Sequence, residues 1–402
     1  MQNQHHSPGT LQGVVLILPV VLSVMGAVLL APILPQLMKQ FHDVPNANYW
    51  IPSLLSVPAL CIALFSPLVG AISDKVGRRP LLITSMFVYA GFGMAPLLLD
   101  SFFAIYATRV GVGICEAVVI TTSTALIGDY FSGADRDKWL GSQAACASLC
   151  AMILFPIAGA LGTLSWRGPF ALYGLSLFLV LGLLFFTKKD LVEKGREELA
   201  NKITQCATAF PWSHMLKVCA LSLVAAILFY ILQFNMSSAL HENFEIESTF
   251  ISGVLLSVAS LAVPLGAIFY RYAHKNCSIS ALIAFEFGIL ACGFVGLSYA
   301  TDYKLFVLAG FLNQFGAGMV LPTMLTWAMQ GLTFEVRGRG TGMWQSTFAL
   351  GQFASTLSFA VVVGMMGSVI GSFQIFGVLA AVICVGAVLA TCRPFSRRVE
   401  GV

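Results

Sequence analysis

Twelve long apolar stretches, parted by short polar or charged ones, set the strongest limit on what this chain can fold into. About 20 mostly apolar residues in a row match the length a helix needs to cross a hydrocarbon layer roughly 30 Å thick. Cut at the charged and Pro/Gly/Asn clusters, the 402-residue sequence gives six spans at approximately 11 to 37, 49 to 72, 80 to 99, 102 to 131, 138 to 163 and 167 to 187. Beyond the densest charge in the chain, Lys188 to Lys202, six more follow at about 214 to 240, 249 to 270, 277 to 300, 303 to 331, 338 to 365 and 367 to 392. Charge is correspondingly scarce: 10% of the residues are Asp, Glu, Lys or Arg, against about 25% in a soluble domain. A surface that poor in charge faces lipid, which excludes a soluble enzyme, a disordered chain and a disulfide scaffold. The net charge of +4 gives no reason to invoke nucleic acid.

The basic residues fix an orientation. With both termini inside, the cytoplasmic set holds Lys75, Arg78, Arg79, Arg136, Lys138, Lys188, Lys189, Lys194, Arg196, Lys202, Lys217, Arg271, Lys275, Arg337, Arg339, Arg393, Arg397 and Arg398. Only Lys39, Arg167 and Lys304 fall outside, and Arg109 lies within a span, which accounts for all 22. A split of 18 to 3 is a strong positive-inside signal, and an odd number of spans would scramble it. The first stretch is too long for a signal-peptide core and lacks a basic leader, so it is expected to be a retained span. The ten cysteines lie in spans or cytoplasmic segments without a C-x-x-C pair and read as small apolar packing residues, with no metal or disulfide expected.

Two sets of six spans on either side of a charged segment suggest a duplicated chain. The expected division is an N-terminal six-helix bundle at 1–187, a cytoplasmic linker at 188–213 and a C-terminal six-helix bundle at 214–402. Traces of the repeat survive. Arg109-Val-Gly111-Val-Gly113 in span 4 lines up with Gln314-Phe-Gly316-Ala-Gly318 in span 10, and Arg136 with Gly141 resembles Arg337 with Gly342. Parallel repeats of six helices are one known transporter plan.

The loop after span 2 reads Gly70-Ala-Ile-Ser-Asp74-Lys-Val-Gly77-Arg78-Arg79-Pro80. Gly77 permits a tight turn, Asp74 can cap or pair at a helix end, and the two arginines anchor the cytoplasmic side. The run closely resembles the G-x-x-x-D-x-x-G-R-R/K signature of the major facilitator superfamily. Further elements agree: Arg109 with Gly113 in span 4, Asp129 at the acidic position that pairs with a loop arginine such as Arg79, and Trp166-Arg167-Gly-Pro-Phe170 at the start of span 6. The antiporter element of span 5 survives only as Ala151-x-x-x-Phe155-Pro156-x-x-Gly159-Ala160, and the second-half loop signature keeps Gly266 but has Tyr270 at its acidic position. The resemblance implies an all-α membrane protein of twelve transmembrane helices in two bundles that alternates between inward-open and outward-open states. It also implies a cytoplasmic latch of Gly70, Asp74, Gly77, Arg78, Arg79, Asp129 and Arg337 that favours the outward-facing state.

Ionised groups inside a bilayer cost about 2.5 to 3.5 kcal/mol each on insertion scales, so each one asks for a reason. Three lie near mid-span: Arg109, Glu116 and Glu286. Seven residues put Arg109 and Glu116 on nearly the same helical face, about 10 Å apart along the axis and too far for a simple ion pair. Glu116 is the expected proton-carrying group. The run Arg109-x-x-x-Gly113-x-x-Glu116-Ala117 also resembles the organic-anion and Spinster-like branches of the superfamily, in which the acid of span 4 is linked to proton coupling. Span 1 carries no acid. Arg109 either binds cargo or bonds backbone carbonyls within the bundle. Glu286 lies on a span that is peripheral in this family. Gln143, Gln233, Asn235, Asn313, Gln314 and Gln345 offer uncharged donors and acceptors on spans that line the family's cavity, or else bond between helices at on the order of 1 kcal/mol each.

The expected protein is thus a monomeric secondary transporter of the bacterial cytoplasmic (inner) membrane that moves a small organic solute without a cofactor. Proton-coupled efflux of amphipathic compounds is the leading reading, and proton-coupled uptake or exchange of an organic anion is the alternative. No H-E-x-x-H, G-x-S-x-G or P-loop run is present in the sequence, which argues against an enzyme or an ATP-driven pump.

Overall fold

The computed structural model describes residues 10–186, 210–330, 332 and 336–392, apart from the side chains of Asp74, Ala134, Asp137, Phe186, Arg337 and Cys392. Most of the expected linker therefore lies outside the described residues. Twelve helices among them are long and apolar enough to cross a membrane: α1 (Thr10–Val28), α2 (Ala47–Ser73), α3 (Arg78–Leu97), α4 (Phe102–Tyr130), α5 (Lys138–Leu164), α6 (Gly168–Phe185), α7 (Trp212–Phe244), α8 (Thr249–Ala273), α9 (Ile279–Ser298), α10 (Tyr303–Gln330), α11 (Gly338–Met366) and α12 (Val369–Thr391).

These are the spans read from hydropathy, with three local departures that proline and glycine explain. The expected span at 11 to 37 is broken: α1 consists of Thr10–Ile17 and Val20–Val28 on either side of Pro19, and a separate short helix, Leu34–Gln40, follows. Proline removes a backbone donor and its ring clashes with the carbonyl four residues back. Pro264 acts in the same way in α8, which divides into Thr249–Ser260 and Ala262–Ala273. The start of α6 is a 3-10 turn, Gly168–Gly174, pressed so closely on the end of α5 that a side chain at Gly168 would strike the Leu161 carbonyl. Between α2 and α3 the chain turns on Gly77, whose φ of 99° is open to glycine and costly for other residues.

Across the two halves α2 packs on α11 and α5 packs on α8, the exchange that a two-fold relation between six-helix repeats requires. The ends of the bundle differ. One, here called the basic end, carries Lys75, Arg78, Arg79, Arg136, Lys138, Arg271, Lys275 and Arg339. The other, here called the sparse end, is poor in basic residues, with Lys39, Arg167 and Lys304 among Asp43, Asp100, Glu242, Glu245, Glu247 and Asp302. Cross-half hydrogen bonds lie in the middle and toward the sparse end: Ser56 to Thr356 at 2.6 Å, Ser237 to the Pro32 carbonyl at 3.1 Å, Thr249 to the Gly159 carbonyl at 2.8 Å and Ser257 to the Met152 carbonyl at 2.7 Å.

One face of α5 shows the contrast. Near the sparse end Gly159 lies against the backbone of Thr249 in α8. About five turns back along the same face, toward the basic end, Gly141 is exposed with open space beside it. Gly70 on α2 and Gly338 and Gly342 on α11 likewise have room for a side chain. Among the described residues the contacts between the halves thus gather in the middle and toward the sparse end, while these glycines toward the basic end face open space.

Candidate functional site

The N-terminal half buries a polar core among α1, α3, α4 and α6. Arg109, on α4, has no exposed surface. Its Nη1 donates to the Tyr173 hydroxyl at 2.6 Å, and its guanidinium carbon lies 4.7 Å from the Tyr173 ring centre and 5.2 Å from that of Phe170. Desolvated cation–π contacts of this kind contribute about 2 kcal/mol. Tyr173 in turn packs 5.2 Å from Tyr89 on α3, whose hydroxyl donates to the Leu22 carbonyl of α1 at 2.6 Å. Two glycines allow the approach. A side chain at Gly93 would collide with the Tyr173 ring, and one at Gly111 with Phe92.

Glu116 completes this core two turns along α4. It is 1% exposed and its Oε1 has no hydrogen-bond partner. The carboxyl lies directly against Gly26 of α1, where any side chain would collide with it. Gly26 and Leu22 are four residues apart, so one face of the broken helix covers both Glu116 and the Tyr89 hydroxyl. Arg109 acts on Glu116 through space, without an ion pair between them, as the seven-residue spacing implies. Its Nε and Nη2 remain without partners. Arg109 therefore looks into the N-terminal bundle, toward α3 and α6, and not toward the cleft between the halves.

The C-terminal half answers with amides. Gln314, at the repeat position of Arg109, accepts from Gln233 of α7 at 3.1 Å and donates to Asn313 at 3.4 Å, while Asn313 donates to the Leu290 carbonyl of α9 at 3.4 Å. Asn313 and Gln314 are buried, so they hold α7, α9 and α10 together. Glu286 is fully buried on α9 with neither oxygen hydrogen-bonded; the Thr323 hydroxyl beside it donates to the Met319 carbonyl.

The remaining candidates separate by environment. Gln143 is buried and bonds Ser123 and Thr124 of α4, and Asn235 is buried and donates to Ile231 of its own helix at 2.8 Å. Gln233 and Gln345 are half-buried. Beside them Trp344, Phe348, Tyr230 and Phe234 form a ring cluster, with the Trp344 Nε1 unpartnered. At the basic end Asp129 pairs with the loop arginine Arg78, and Arg79 donates to the Leu184 carbonyl of α6 at 3.3 Å. The side chains of Asp74 and Arg337 lie outside the described residues. Arg339 stacks on Phe210 and Trp212, 4.6 and 4.9 Å from their ring centres, where the chain enters α7.

Sequence reasoning missed Tyr89, Tyr173 and Gly26. Nothing local marks them, because each matters through a partner at least 64 residues away.

Comparison with known proteins places this architecture. The Major Facilitator Superfamily profile matches residues 16–356. Tetracycline resistance protein, class C, of Escherichia coli is 29% identical over 341 residues, covering 78% of this chain and 80% of the relative. Tetracycline resistance protein, class D, of Salmonella ordonez is 25% identical over 359 residues, 85% of this chain and 86% of the relative. The fold matches the crystal structure of a D-xylose-proton symporter with a TM-score of 0.77 at 12% identity, over 93% of this chain and 96% of that one. With twelve membrane helices in two six-helix bundles and a profile match over most of its length, the chain belongs to the Major Facilitator Superfamily and is a multi-pass membrane transporter.

Proposed function

We propose that the protein exports small amphipathic organic compounds across the bacterial cytoplasmic membrane in exchange for protons, with Glu116 as the group that carries the proton. The observation that carries this reading is the setting of Glu116: buried, one oxygen unpartnered, no cation in contact, and covered by Gly26 of a broken helix. An ionised carboxylate is costly in such surroundings. The protonated acid lets α1 close over it. Loss of the proton leaves a charge against an apolar helix face, which favours withdrawal of α1 and entry of water.

The basic end is cytoplasmic by the positive-inside bias, so the conformation described above is inward-facing. In the outward-facing state the basic ends of α2, α5, α8 and α11 come together. The Arg78–Asp129 pair, which ties the Gly70 to Arg79 loop to α4, then forms the N-terminal part of the latch. Gln233, Gln345 and the Tyr230 ring, all half-buried, supply a cargo wall of amides and an aromatic face without fixed charge, backed by the buried rings of Trp344 and Phe348. The tetracycline resistance relatives support export of drug-like compounds. Uptake of an organic anion would instead need a cation open to the cleft, and Arg109 is sealed behind Tyr173 and Phe170.

The test is transport by purified protein in liposomes under an imposed pH gradient, with tetracycline as the first probe and a panel of amphipathic cations and neutral compounds after it. Wild-type protein should move solute against its gradient. Glu116→Gln should slow that movement by about tenfold or more, a rise of about 1.4 kcal/mol or more in the barrier. Gradient-driven transport at the wild-type rate in Glu116→Gln would remove Glu116 from the role.

A further inference from the structure

Cys146 and Cys150 stand one turn apart on α5 with their sulfurs 3.8 Å from one another. Both are half-buried, so neither is sealed in the core. The stripe they occupy includes Trp139, which packs across Gly13 of α1, and it borders the face where Leu149 and Ile153 are exposed. In a membrane protein that exposed apolar face meets lipid. The pair is therefore a dithiol at the seam of α1 and α5, reachable from the bilayer.

The geometry selects what such a pair can bind. A disulfide needs β-carbons about 3.8 Å apart, whereas residues four apart on a helix hold theirs at about 5 to 6 Å. Direct oxidation would therefore have to unwind a turn of α5. A single atom set between the sulfurs meets no such obstacle: two thiolates on a tetrahedral ion with bonds of about 2.3 Å lie about 3.8 Å apart. Structural zinc takes four protein ligands, but no group of three or more His, Cys, Asp or Glu side chains gathers among the described residues. A thiophilic centre that asks for only two sulfurs fits better.

We propose that Cys146 and Cys150 form a chelating site for trivalent organoarsenicals and comparable thiophilic metalloid compounds. With hydrated phenylarsine oxide, C6H5As(OH)2, two As–S bonds form and two As–O bonds break. Each thiol proton leaves with a hydroxyl as water, and arsenic stays trivalent, so neither oxidant nor reductant is needed. The ring closes over one helical turn without changing its backbone.

The experiment treats the intact protein in liposomes with phenylarsine oxide, followed by intact mass spectrometry and peptide mapping. One arsenical per chain is expected, mapped to the segment holding Cys146 and Cys150, retained through a wash with 2-mercaptoethanol and released by 2,3-dimercaptopropanol. Cys146→Ser and Cys150→Ser should each lower the retained fraction by about 100-fold or more, because one sulfur lacks the effective concentration of its neighbour. Peptide mapping on the wild-type chain keeps the test decisive even where a serine variant folds poorly. An adduct that maps elsewhere, or none that survives the monothiol wash, overturns the proposal.

Discussion

The two halves share a fold and differ in how they fill the same interior position. In the N-terminal half that position is Arg109, held by a hydroxyl and two aromatic rings from α6; in the C-terminal half it is Gln314, held by amides from α7 and α10. The charged version demands more of its surroundings. Glycines at 93 and 111 bring the packing close, and two guanidinium nitrogens stay unpartnered. The amide version needs only neighbours able to donate and accept. The repeat thus preserved the scaffold while charge, with its cost and its possible use, was confined to one copy at this position.

The sharpest way to break the comparison is to empty both positions. Arg109→Ala removes the bond to Tyr173 and two buried cation–π contacts, an expected loss of about 3 kcal/mol or more. Gln314→Ala should cost about 1 kcal/mol. Thermal unfolding of both variants in detergent measures the gap, and equal losses would mean the two cores are energetically alike.

Next in size is Gly26→Ala. The added methyl collides with the Glu116 carboxyl, and overpacking of this kind costs about 1 to 3 kcal/mol. In a Glu116→Ala background most of that cost should vanish, a coupling that a double-mutant cycle reads directly. Additive losses would place the clash elsewhere.

Ser56→Ala leaves Thr356 without its cross-half hydroxyl partner. The expected loss is about 1 kcal/mol, taken from the state joined at the sparse end. Spin-label distances across that end should shift toward the separated state, and an unchanged distribution would deny the contact a conformational role.

The smallest effect is expected at Arg339. Like Arg109 it sits over two aromatic rings, but it is exposed, so Arg339→Ala should cost only about 0.5 kcal/mol, the low end for a solvated cation on a ring. A loss as large as that of Arg109→Ala would show that burial is not what separates the two arginines.

Hydropathy made the twelve spans legible because a bilayer imposes one length and one polarity on every crossing. Gly77 was equally legible as a turn, since few residues other than glycine accept its backbone. Proline positions alone do not decide where a helix breaks: α2 runs on through Pro52, Pro58 and Pro67, whereas α1 is interrupted at Pro19. The sequence also named Arg109 and Glu116 as the groups that needed explaining, and their spacing correctly kept them out of contact.

By itself, then, the sequence determined the solvent, the number of spans, the family resemblance and the shortlist of buried charges. Those properties follow from local composition and from spacing along single helices. Only the tertiary structure decided that Arg109 turns to Tyr173 and Phe170, that Glu116 lies under Gly26, that Asp129 meets Arg78 and that the halves join at the sparse end. A helix carries its residues at fixed angles but does not set its own rotation in the bundle. That rotation is chosen by close packing against helices far away in the chain, where a missing side chain on one decides how near the other can come.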